Sequence, residues 1–275
     1  MREVIGCPLC SAMKTLHEQR ERDPIPPELR GWSWDRPPVK PRAKLGLAVS
    51  DIAYGYWCGW RDLWYKKKYG IAPEPGLPAQ QGREVHKAFR QAIYDVNSLS
   101  LNGRPWDIGR LLSTAENRFS GEVAQLYKQF LVIFAGEATV SAATRGSTGA
   151  GPRWLAEYKI NGWHLGLSSQ LRVDAVGSAG VVVEVKSGKR GRWQEISTTG
   201  YALSLESSTK VPVDYGVLVN VNLQNGITVT VDPIYISPDL RREFLKARDE
   251  AIDALLSDKE PPPGNCGEEG RSPTG

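Results

Sequence analysis

Along the first half of the chain apolar residues recur three and four apart; in the second half they alternate or run unbroken. In "SDIAYGYWCGWRDLWYKKKYG" Ile52, Tyr56, Trp57, Trp60, Leu63 and Trp64 form one stripe at a period near 3.6, with Ser50 in an N-cap position and Gly70 placed to end the helix. Cys58 points almost the opposite way, which predicts a cysteine away from the core. After a loop over 71–80, "QGREVHKAFRQAIYDV" predicts a helix burying Val85, Phe89, Ala92, Ile93 and Val96, with His86 at the edge of the stripe. Residues 108–145 read as further helix and 1–22 as a short charged helix. The proline-rich stretch 23–42 suits neither a regular helix nor a central strand.

From residue 154 the period becomes two, predicting strands near 154–160, 163–168, 170–176 and 181–187, then a helix over 193–208. Two further strands, "VDYGVLVNV" and "GITVTVDPIYI", flank Asn225-Gly226, a pair suited to a tight hairpin, and Ser237-Pro238 opens a last helix. Helices first and a mixed sheet afterwards predict an α/β core with an N-terminal helical lobe. The expected divisions are an N-terminal helix and connector (1–42), a helical lobe with Cys58 and His86 (43–150), the core (151–257) and a tail with Cys266 (258–275), mobile unless that cysteine is tied down.

Composition changes this picture little: 275 residues, 40% hydrophobic, 24% charged, net charge +4, so a polyanionic partner is permitted but not demanded. No stretch approaches the roughly 20 apolar residues of a membrane span, and the N-terminus lacks a signal-peptide pattern, so a cytoplasmic protein is expected. In a reducing compartment Cys7, Cys10, Cys58 and Cys266 are better read as free thiols or metal ligands than as disulfides.

The candidate chemistry lies in "LRVDAVGSAGVVVEVKSGKR". In its valine strand Val182, Glu184 and Lys186 share one face. Asp174 joins them only if it pairs with 184, and so 176 with 182, which requires an odd-length turn or a bulge. Two carboxylates can hold a divalent cation that lowers the pKa of bound water, while a lysine orients the water or offsets developing charge, a set suited to phosphodiester hydrolysis. A decorated surface hairpin is the plainer reading of the same spacing, and a helix-edge histidine the plainer reading of His86 alone.

Aspartate on one strand and "EVKSG" on the next, followed by "ISTTGYALSLE", resemble the PD-(D/E)xK nuclease core and its RecB-type helix. Upstream, "SDIAYGYWCGWRDLWYKKKYG" and "GREVHKAF" resemble the cysteine and histidine helices of the CRISPR-associated RecB-like exonucleases, Cas family four. The segments "ELRGWSW", "HLGLSSQLRVDAV", "VDYGVLV" and "LRREFLKARDE" are closer still to its archaeal subtype I-A branch, over roughly residues 28 to 260.

The resemblance implies that His86, Asp174, Glu184 and the Val185 carbonyl bind Mg or Mn, that Lys186 is the catalytic lysine, and that Tyr201 helps position DNA. The glutamine that relatives often place four residues before that tyrosine is Ser197 here; Gln194 substitutes only if the helix begins early. Lys189, Arg190 and Arg192, and the run "YKKKYG", are candidates for phosphate contact, and Trp32, Trp34 and Trp193 for base stacking or core filling. The family also implies an iron-sulfur cluster on four cysteines, of 4Fe-4S type. Cys58 and Cys266 match two positions, and "CPLC" offers Cys7 and Cys10 in place of the others. A site without a cluster, zinc on the same thiols and a shortened C-terminus stay open. The implied activity is metal-dependent trimming of single-stranded DNA ends during CRISPR spacer acquisition, beside the integrase proteins; the rival is a non-catalytic DNA-binding or assembly subunit.

Overall fold

The computed structural model describes residues 8–71, 77–145, 154–177, 180–188, 190–223 and 226–264. Helix α1 (Pro8–Arg22) leads through two 3-10 turns into α2 (Val49–Cys58) and α3 (Arg61–Tyr69). The predicted single helix over 50–70 is thus two, because Gly59 adopts φ 88 and breaks the ladder, and Ala48 rather than Ser50 flanks the start. Gly70 ends α3 in the left-handed conformation, as its position suggests. Helix α4 (Leu77–Leu101) starts before the expected residue 81 and buries all five apolar residues of its stripe. The predicted 108–145 helix divides into a short α5 (Gly109–Ser113), a 3-10 turn and α6 (Gly121–Arg145).

The sheet comprises β1 (Trp154–Ile160), β2 (Leu171–Gly177), β3 (Val182–Ser187), β4 (Tyr215–Asn222) and β5 (Thr228–Tyr235), in that spatial order. Of the strand pairs in this sheet, among the described residues, β3–β4 is the parallel one, and the chain between them forms α7 (Arg192–Thr209), as a parallel pair needs a crossover. The strands β4 and β5 pair from Tyr215↔Tyr235 to Asn222↔Thr228; Asn225 of the predicted turn lies outside the described residues. Helix α8 (Pro238–Leu256) closes the fold, its Leu240 N–H donating to the Ser237 cap.

Residues 163–168 are not a strand. A 3-10 turn over Trp163–Leu165 ends at left-handed Gly166, and the alternation that suggests a strand comes from Leu165 and Leu167, both buried from a turn. The sheet is covered on both faces. One core gathers Ile52, Val182, Ile196, Leu203 and Phe244 from α2, β3, α7 and α8; the other gathers Val85, Phe89, Phe130, Val183 and Val185 from α4, α6 and β3. Burial on both faces is why β3 reads as nearly continuous valine.

Candidate active site

Strands β2 and β3 pair Ala175 with Val183 and Val176 with Val182, a register that sets position 174 opposite 184. The turn is of the odd-length kind, closed by the Gly177 N–H on the Val181 carbonyl at 2.8 Å. Beyond Ala175 the ladder stops and the Asp174 side chain takes its place. Its Oδ2 accepts the Val185 N–H at 2.7 Å, and its Oδ1 lies 2.9 Å from His86 Nδ1 on α4. A strand residue turns its N–H and C=O to the same neighbour, so the Val185 carbonyl also faces this gap.

Glu184 is only 3% exposed. Its Oε1 accepts from Lys186 Nζ at 2.9 Å and from Ser197 Oγ at 2.8 Å. The two carboxylates therefore engage partners on opposite sides of the sheet, His86 from α4 and Ser197 from α7. Sequence reasoning gave Ser197 no partner; its position four residues before Tyr201 was the available signal.

Charge settles in pairs. Burial opposes the His86 cation, but the Asp174 charge and hydrogen bond outweigh it and raise the imidazole above its usual value. Burial would raise Asp174, yet the charge and hydrogen bond of His86, with Lys186 and the Val185 N–H, hold its carboxyl low. For Glu184 burial dominates and, with the Asp174 charge, raises the carboxyl despite Lys186. Burial works against the Lys186 ammonium, but the Glu184 and Asp174 charges keep its pKa raised. The half-buried Tyr201 belongs to the same field: burial, then the charges of Glu184, Asp174 and Glu157, push its hydroxyl well above its usual range.

The remaining nucleic-acid candidates are more occupied than expected. Helix α7 does begin early enough to include Gln194, but that side chain is buried, donating to Asn220 Oδ1 at 3.2 Å and accepting the Gly191 N–H at 3.4 Å. Arg190 pairs with Asp232 at 3.1 Å and Arg192 with Glu195 and Glu243 at 2.5 and 2.6 Å; Lys189 lies outside the described residues. In "YKKKYG", Lys66 pairs with Asp51 at 2.6 Å and Lys68 reaches the Ser257 carbonyl at 3.3 Å. Trp193 is buried beside Lys186, whose Nζ is 5.7 Å from the ring centre, Trp34 stacks on His164 at 4.2 Å, and Arg30 lies 5.5 Å over Trp32.

Cys58 differs from expectation twice. It is buried, and it is disulfide-bonded rather than a free thiol. The burial has a cause that helical periodicity does not carry: residues 257–264 return along α2 and α3, with Arg61 on Glu260 at 2.5 Å and Trp64 Nε1 on the Ser257 carbonyl at 3.3 Å. Cys7, Cys266 and the side chain of Cys10 lie outside the described residues.

Imidazole nitrogen, two carboxylates and a main-chain carbonyl are the donors Mg or Mn takes. Among the described residues no three His, Cys, Asp or Glu side chains are grouped to hold one ion, since Asp174 is turned to His86 and Glu184 to Lys186 and Ser197. The set fits in kind, and holding an ion would require exchanging those hydrogen bonds for metal contacts.

The mixed sheet carries paired carboxylates and a lysine beside a helix histidine, and the class is given by the comparisons, which place the chain among the nucleases. The family model described as CRISPR-associated exonuclease Csa1 matches residues 7–269. A Thermoproteus tenax protein of that description is 34% identical over 245 residues, 87% of this chain and 86% of its own. Another from Saccharolobus solfataricus is 30% identical over 256 residues, 86% of each chain. The chain belongs to the CRISPR-associated exonuclease Csa1 family. A solved Eubacterium rectale structure aligns over 80% of this chain and 85% of its own at 13% identity and TM-score 0.44, too distant to carry an argument.

Proposed function

We propose that the chain is a divalent-metal-dependent deoxyribonuclease with a RecB-like PD-(D/E)xK core, which trims single-stranded DNA ends beside the CRISPR integrase proteins during spacer acquisition. The observation that carries this reading is the register setting Asp174 opposite Glu184, with His86 on one carboxylate and Lys186 on the other. His86, Asp174, Glu184 and the Val185 carbonyl would hold Mg or Mn, which supplies a water of lowered pKa and polarises the phosphate. Asp174, anchored by the Val185 N–H, keeps β2 in line with the catalytic strand. Lys186 stays charged beside two carboxylates, ready to orient the attacking water and to offset charge growing on the phosphate oxygens. Tyr201 offers a hydroxyl that remains protonated, a donor for the strand.

The test is Mn-dependent release of nucleotides from labelled single-stranded DNA by the parent and by Glu184→Ala and Lys186→Ala. Each variant is expected to lose about a hundredfold or more. An inactive parent that still binds DNA would support the assembly-subunit reading instead. The iron-sulfur cluster stands as a second proposal, on Cys7, Cys10, Cys58 and Cys266. A disulfide and a cluster thiolate exclude each other at Cys58, so iron and acid-labile sulfide in anaerobically purified protein, set against its free-thiol count, decide between them.

A further inference from the structure

Among the described residues Glu157 is the non-glycine residue that takes a left-handed conformation inside a strand, at φ 52 in the middle of β1. An ordinary strand keeps alternate residues on one face. Here Trp154 and Ala156 pack against the core beneath α4 and α6, while Tyr158 and Ile160, of the same parity, pack against the core beneath α7 and α8. Strand β2 makes the same exchange: Ala175 belongs to the α4–α6 core, Val173 and Leu171 to the other. The β1–β2 ladder runs from Trp154↔Gly177 to Ile160↔Leu171 and skips the one position where Glu157 faces Asp174. The ribbon thus crosses from one face of the sheet to the other at this pair. That crossing frees Asp174 from the ladder to meet the Val185 N–H and His86.

The Glu157 carboxylate also joins the elements that deliver those groups. It lies 3.6 Å from Arg90 Nη1 on α4 and 3.6 Å from Arg172 Nη1 on β2. Arg90 stands about one helical turn beyond His86, and Arg172 two residues before Asp174.

We propose that Glu157 is a positioning residue for the candidate metal site: its left-handed backbone sets the crossing that aims Asp174, and its carboxylate braces α4 against β2 so that His86 and Asp174 keep their spacing. This deepens the metal-nuclease reading and rests on it.

The test compares Glu157→Gly, Glu157→Ala and Arg90→Ala in the full chain, by Mn affinity from electron paramagnetic resonance titration and by thermal midpoint. In an ordinary strand glycine is the worse substitute; at φ 52 it is the better one, because it has no Cβ to strain. Glu157→Ala is expected to weaken Mn binding about tenfold or more. Glu157→Gly, which keeps the crossing and loses only the brace, should bind more tightly and melt higher than Glu157→Ala. Nuclease turnover should fall through kcat, with KM for the strand unchanged. Should Glu157→Ala fail to fold, Glu157→Gly and Arg90→Ala carry the affinity comparison, each weaker than the parent. A parent whose Mn binding survives Glu184→Ala, or which binds none, overturns the metal reading and this proposal together. A parent that binds through Glu184, with Glu157 and Arg90 variants of the same affinity, or an alanine variant melting above the glycine one, overturns the positioning role alone.

Discussion

One oxygen of Glu184 accepts from both Lys186 and Ser197, so each donor limits how the carboxylate can turn. Ser197→Ala removes one buried hydrogen bond while leaving the ion pair. Its expected cost is about 1–3 kcal/mol in urea unfolding, with nuclease activity lowered roughly tenfold as Glu184 gains freedom, on the scale of other supporting-shell losses. Ser197→Thr, which keeps the hydroxyl, should recover most of the activity. At this scale the sequence was partly readable. Glu184 and Lys186 stand out because a strand buried on both faces has no reason to carry charge, whereas Asp174 joins them only with an odd-length turn or a bulge, a choice the sequence left open and the observed register makes. His86 was legible only through resemblance, since α4 must pack on the sheet before a helix-edge histidine and Asp174 can meet. Ser197 was hidden because a serine in a helix has several equally good uses.

Helices and strands were legible wherever one period held throughout an element, as in α4, β3, β4 and α8. They were not where the backbone changes conformation midway, at Gly59 between α2 and α3 or at Glu157 within β1. Close approach between elements was equally hidden, and Gly31 is its sharpest case. This residue, in the 3-10 turn over Gly31–Ser33, donates its N–H to Glu206 Oε2 at 2.8 Å, and a Cβ there would lie 2.0 Å from the Leu203 carbonyl oxygen of α7. The obstruction is main chain, with no flexible side chain to move aside. Gly31→Ala is therefore expected to cost roughly 3 kcal/mol, measured by urea unfolding, by lifting the connector off α7. Gly109→Ala, where nothing lies within 4 Å, is the matched control and should change stability little.

The whole molecule is tied together by a buried ion network on the face away from the proposed site residues of α4. Glu206, near the end of the helix that carries Ser197 and Tyr201, accepts from Arg241 Nη1 at 2.8 Å, Arg30 Nη1 at 2.8 Å and the Val213 N–H at 3.0 Å. Arg30 also pairs with Asp214, which takes Arg20 of α1 at 2.5 Å. The connector, α1, α7, α8 and the entry to β4 thus share one set of charges, a long-range arrangement that no local pattern announces. Glu206→Ala leaves the buried Arg241 guanidinium without a carboxylate, while Arg30 keeps Asp214, and is expected to cost about 3–5 kcal/mol. Asp214 makes the same network sensitive to acid. Burial alone would raise its carboxyl, but the hydrogen bonds and charges of Arg30 and Arg20 outweigh that and hold it below its usual 3.8. A carboxyl depressed in the folded state protonates first in the unfolded chain, so its contribution is complete above the usual value and is lost as pH falls through the folded one. The gap in urea midpoint between the parent and Asp214→Asn should accordingly hold constant from neutral pH to about pH 5 and narrow steadily below it. A gap that stays constant into strong acid would mean that Asp214 stabilises the fold through shape and hydrogen bonding rather than charge.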